Sequence, residues 1–77
     1  MNNLELKNTI KNNLIELRLS KGITQTDVGK IVGKSKTAVA SWEQGLSLPD
    51  AITLFGLAQY YGKSIDYLFR QNQCDDE

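Results

Sequence analysis

Histidine is absent from this 77-residue chain, cysteine occurs once, as Cys74, and proline once, as Pro49. Without histidine there is no imidazole for acid–base work, and a single thiol cannot build a His/Cys zinc site. No metal, no cofactor and no catalytic residue are therefore expected, and an enzyme is disfavoured. Cys74 has no second thiol to pair with, which excludes an internal disulfide framework. Unbroken apolar runs reach only three residues, as in Tyr67-Leu68-Phe69. A membrane span needs about 20. No basic leader with an apolar stretch opens the chain, so neither membrane nor export targeting is expected, and the expected location is the cytoplasm. Net charge is also lacking: nine Lys/Arg balance nine Asp/Glu. Taken alone, that balance argues against a nucleic-acid partner.

What is present is a patterned chain with 40% hydrophobic residues, too many for disorder. At this size about 60% of the unfolded surface can be buried, enough for one small core. Glycines 22, 33, 45 and 62 separate segments of helical period, and strand-like alternation is weak throughout. The expected fold is all-α: about five short helices in one unit over residues 1–69, with an acidic tail over 70–77.

A first helix is expected from about Asn8 to Lys21, with Ile10, Leu14 and Leu17 inward. Thr24 with Asp27 three residues later signals the start of a second helix, over Gln25 to Val32, with Val28, Ile31 and Val32 inward. Ser35 caps a third, running to about Gln44. At 100° per residue its apolar arc holds Ala38, Val39 and Trp42. The opposite arc holds Lys36, Thr37, Ala40, Ser41 and Gln44, small or polar throughout. The Trp42 angle favours the core over base stacking. A fourth helix follows Asp50 with Ala51, Leu54, Leu57, Ala58 and Tyr61 as its stripe. Ser64 caps a short last helix through Phe69, with Ile65 and Leu68 inward.

Two helices joined by a tight glycine turn, the second polar on its outer arc, follow the helix-turn-helix plan over residues 25–44. On that plan the third helix enters the DNA major groove and the second crosses the backbone. Lys36 suits guanine O6/N7 or a phosphate. Thr37 and Ser41 suit base edges or a thymine methyl, and Ala40 permits close approach. Gln25, beside the free N–H groups opening its helix, suits a phosphate. The plain alternative for these polar residues is a solvated surface.

The chain resembles the phage repressor/Cro-type, or XRE-like, helix-turn-helix regulators from about Ile10 to Phe69. The matching residues are Leu17-Arg18, Gly22-Ile23-Thr24-Gln25, Val28-Gly29, Gly33, Ser35, Val39, Trp42-Glu43 with Gly45, and Pro49. They continue through Leu54, Leu57-Ala58, Tyr61-Gly62, Ser64 and Ile65-Asp66-Tyr67-Leu68. The resemblance implies a lambda-repressor-like fold. It also implies base reading by Lys36, Thr37, Ala40 and Ser41, and phosphate contacts from Gln25, Thr26, Lys34, Ser35 and Gln44. Arg18 and Glu43 stand where many members hold an ion pair, although Arg18 could also meet a phosphate. The implied partner is a double-stranded operator with two-fold symmetry, bound by a homodimer, with no small-molecule ligand. A repressor of phage or mobile-element type leads, with a restriction–modification controller or an antitoxin-like autoregulator as the variants.

Three departures from the family pattern stand out. The loop after the third helix, often basic, reads Leu46-Ser47-Leu48. Helix four carries Ile52, Phe55 and Gly56 where a polar surface is usual, and Lys63 replaces a common apolar residue. Ile52, Phe55 and Gly56, with Leu46, suit a dimer contact. Partial burial against the last helix or the tail is the alternative for them. A protein-interaction module that has lost DNA binding is the competing function.

Charge resolves the opening objection. Residues 1–48 hold seven basic and four acidic side chains, and residues 49–77 hold two basic and five acidic. The positive half coincides with the helix-turn-helix.

Overall fold

Local capping chemistry determines where the helices begin. In the computed structural model, which describes residues 3–71, α1 spans Asn3–Lys21, α2 Gln25–Val32, α3 Lys36–Glu43 and α4 Ala51–Tyr61. A 3-10 helix, Ile65–Phe69, is the last element among the described residues. Thr24 Oγ1 accepts from the Asp27 N–H at 3.1 Å while Asp27 Oδ2 accepts from the Thr24 N–H at 3.0 Å, a full capping box. Ser35, Asp50 and Ser64 accept in the same way from Ala38, Thr53 and Tyr67. Each such cap contributes about 1 kcal/mol. The donated N–H groups hold the Asp27 and Asp50 carboxyls below the usual carboxylate range.

The core gathers one stripe from each element. Ile10, Leu14 and Leu17 of α1 meet Val28 of α2, Val39 and Trp42 of α3, and Leu54, Leu57, Ala58 and Tyr61 of α4. Leu68 of the 3-10 helix plugs the end. Each fully buried aliphatic side chain contributes about 1.5–3 kcal/mol. Asn13 is the polar residue at the seam between α1 and the closing helix. Its amide Nδ2 donates to the carbonyls of Tyr67, Leu68 and Arg70 at 3.3, 2.9 and 2.7 Å. The Arg70 N–H caps this end at the Tyr67 carbonyl, 3.3 Å away, and the Asn13 side chain from α1 adds to that cap.

Several sequence expectations need correction. The first helix starts at Asn3, five residues earlier than expected, because Leu6 extends the α1 stripe onto the core. The last element is a 3-10 helix, since five residues between Ser64 and Arg70 leave no room for a second α-turn. Ile31, Ala51 and Ile65, expected inward, are exposed: each sits at the margin of a stripe that narrow partners do not cover. Thr53, not Ala51, is the buried residue in the first turn of α4. Of the expected tail, Arg70 and Gln71 are described; Cys74 and Asp75-Asp76-Glu77 lie outside the described residues.

Candidate nucleic-acid interface

The α2–α3 turn is tight because two glycines allow it. Gly33 sits at φ +72°, where a side chain would be strained, and lets the Lys34 N–H return to the Gly29 carbonyl at 2.8 Å. Gly29 is buried, and a Cβ there would stand 2.5 Å from the Lys34 carbonyl oxygen. No flexible side chain could yield to relieve that overlap, so α3 approaches α2 closely only with glycine at this position.

Helix α3 then presents two different faces. Val39 and Trp42 are buried, and Ala38 is half-buried beside them. Lys36 and Thr37 are exposed, Ala40 and Ser41 half-buried, and Gln44, the C-cap, is exposed. Ser41 Oγ is 2.8 Å from Ser47 Oγ, which ties the recognition face to the α3–α4 loop. The loop is also held by the Leu46 N–H, which donates to the Ser41 carbonyl at 3.0 Å.

A buried polar cluster sets the position of α3. Arg18 of α1 donates through Nε and Nη2 to the two carboxylate oxygens of Glu43 at 2.8 and 3.1 Å. Its Nη1 donates to the Ile23 carbonyl at 3.0 Å. The side chains are 16% and 7% exposed, so water does little to weaken the pair. The hydrogen bond to Glu43 raises the Arg18 guanidinium still further into its charged state. Burial, reinforced by the Glu43 charge, pushes the Tyr61 phenol up to about 12.

Gln25 joins this cluster, which sequence reasoning did not anticipate. Its Nε2 donates to Glu43 Oε1 at 3.0 Å. One amide N–H is thereby committed inside the protein. One carboxylate thus orients α1, α2 and α3 together. The available signal was the polar pair Gln25 and Glu43 at the two ends of a motif whose helices must cross.

The remaining positions are more dispersed. Thr26 is exposed on the first turn of α2. Ser35 is exposed, with its hydroxyl engaged as the α3 cap. Lys34 Nζ lies 3.6 Å from Asp50 Oδ2, an exposed pair worth little in water. Ile52 and Phe55, one turn apart on α4, are 85% and 54% exposed, and Leu46 in the preceding loop is 70% exposed. Gly56 is half-buried: a Cβ there would stand 3.9 Å from Val32 Cγ1 of α2. Among the described residues no group of His, Cys, Asp and Glu could hold a metal, and no helix is long and apolar enough to cross a membrane.

The fold and this interface define an all-helical domain of repressor type built on a helix-turn-helix. The family described as helix-turn-helix matches residues 14–68. The chain belongs to that family, the Cro/C1-type helix-turn-helix regulators. Over 61 residues it is 36% identical to the uncharacterized HTH-type transcriptional regulator y4dJ of Sinorhizobium fredii, covering 79% of each chain. It is also similar to the P22 c2 repressor, solved in complex with the synthetic operator 9T in the presence of Tl+. There the TM-score is 0.76 and the identity 28%, over 82% of this chain and 96% of that one.

Proposed function

We propose that this chain is a sequence-specific transcriptional repressor that binds a two-fold operator as a homodimer, with α3 in the major groove. The observation that carries the reading is the outward face of α3. Lys36 and Thr37 project from it, Ala40 and Ser41 lie beside them, and the face is held rigidly by the Arg18–Glu43–Gln25 cluster. The similarity to a repressor solved on its operator supports it. Lys36, Thr37 and Ser41 read base edges across Ala40. Gln25, Thr26, Lys34, Ser35 and Gln44 surround them as the phosphate-facing set. Ile52, Phe55 and Leu46, with Gly56, pair with a second copy, because one recognition helix buries too little surface for a selective site. The regulator is of phage or mobile-element type and works at the bacterial nucleoid through its DNA binding.

In vitro selection from random duplex DNA tests this directly. The expected product is an inverted repeat with half-sites about 34–36 Å apart, or a multiple of that. Lys36→Ala, Thr37→Ala and Ser41→Ala should each weaken binding to the selected site by about 1–3 kcal/mol with unchanged helicity. No duplex binding even at low salt overturns the reading.

The apolar loop and α4 surface favour a second reading, a protein-interaction module or antitoxin-like autoregulator with weak DNA binding. Phe55→Asp separates the two roles of that surface. In sedimentation it should shift a dimer to monomer and weaken operator binding with it. A variant that stays dimeric removes α4 from the dimer contact.

A further inference from the structure

We propose that Lys11 of α1 is the phosphate-binding cation of the α3–α4 loop, supplied from outside a loop that has none of its own. The inference rests on the DNA-binding reading above and concerns which residue neutralises the backbone beside the recognition helix. From Gln44 to Asp50 the chain holds no Lys or Arg, and Asp50 adds a negative charge. Lys34, the nearby cation of the α2–α3 turn, is directed at that same Asp50.

Lys11 reaches the loop through the geometry that brings Arg18 to Glu43. The two residues are seven apart on α1, close to two turns, so they share one face and stand about 10.5 Å apart along the axis. Arg18 engages the last residue of α3. Two turns earlier, the Lys11 stem lies over the loop that follows: its Cδ is 3.5 Å from where a Cβ on Gly45 would stand. Gly45 has φ +79° and no side chain, so the lysine stem occupies space that another residue would fill. Lys11 is half-buried as a residue; a lysine stem packs on protein while its ammonium stays in water, where a phosphate can meet it. None of the ion pairs among the described residues includes Lys11. In the same loop the N–H groups of Ser47 and Leu48 donate to no acceptor among the described residues. A cation beside open backbone N–H groups, at the end of the recognition helix, matches the contacts that hold a DNA phosphate.

The test is a salt series by fluorescence anisotropy on random duplex and on the selected operator, comparing wild type, Lys11→Gln, Lys11→Arg and Lys30→Gln. Lys30 is an exposed lysine on α2 and serves as the charge control. Lys11→Gln should reduce the slope of log K against log salt by about 0.9, which makes affinity about 3.5-fold less sensitive between 50 and 200 mM salt. The loss should be the same on both DNAs, leaving their affinity ratio unchanged, because a phosphate contact reads no sequence. Lys11→Arg should keep the wild-type slope, which also shows that position 11 tolerates exchange without unfolding. Lys30→Gln should keep it too. A wild-type slope in Lys11→Gln, or an equal drop in Lys30→Gln, overturns the assignment to Lys11 and leaves the DNA-binding reading standing. Wild-type protein that binds neither duplex overturns both.

Discussion

Glu43→Ala is expected to destabilise the fold by about 3–5 kcal/mol, the range found when one partner of a buried ion pair is removed. The carboxylate accepts three hydrogen bonds, from Arg18 Nε, Arg18 Nη2 and Gln25 Nε2. Truncation leaves a guanidinium that is 16% exposed with only the Ile23 carbonyl as partner. It also frees the Gln25 amide and the end of α3 at once. Urea unfolding checks the magnitude. A loss under about 1 kcal/mol would class the pair with solvent-exposed ion pairs instead. Replacing both partners, Arg18→Met with Glu43→Met, should cost less than either truncation alone, because no charge is then left stranded. The single variant should also weaken DNA binding beyond its effect on the folded fraction. Measured at full helicity, the excess reports the lost alignment of Gln25 and α3.

The second large effect belongs to a residue far from any DNA. Asn13→Leu is expected to cost about 1–3 kcal/mol, the cost of one unsatisfied buried group, because the buried Leu68 carbonyl loses its donor while the Tyr67 carbonyl keeps the Arg70 N–H at 3.3 Å. The Arg70 carbonyl, on an exposed residue, can turn to water. The damage should be local first. Amide exchange should quicken through residues 65–70, where Leu68 is fully buried, before it quickens in α2 and α3. Asn13→Asp separates hydrogen bonding from shape. An ionised carboxylate can only accept, so it would face the Tyr67, Leu68 and Arg70 carbonyls with like partial charge. In the fold its proton is held more tightly than in the unfolded chain. Stability should therefore be best in acid and fall as pH rises through that raised value. Equal stability of Asn13→Leu and wild type would show that the amide contributes nothing net.

These two residues differ in how far the sequence revealed them. Arg18 and Glu43 were visible as a pair through family resemblance, and the structure adds their distance, burial and third partner. Asn13 gave no signal. It lies in a segment rich in asparagine, and its neighbour Asn12 is exposed while Asn13 is buried. Which of two adjacent amides faces inward depends on the phase of α1, and helix phase was legible only from Ile10, Leu14 and Leu17. Ser41 shows the same limit on the candidate interface. Its angle placed it on the outer arc, yet only the folded loop supplies Ser47 as its partner.

The sequence by itself determined the starts of α2, α3, α4 and the closing 3-10 helix, and the inward stripes of α1 and α3. Caps act across three residues, as Thr24 with Asp27 and Ser35 with Ala38 show, and an apolar stripe is a property of one helix. The width of each stripe was decided by the tertiary structure, since Ile31, Ala51 and Ile65 are exposed for want of a neighbour wide enough to cover them. So were the polar meetings: Gln25 with Glu43 across 18 residues, Arg18 with Glu43 across 25, and Asn13 with Leu68 across 55. A hydrogen bond needs its partners placed within tenths of an ångström. At those separations along the chain, only the packing of whole helices can place them.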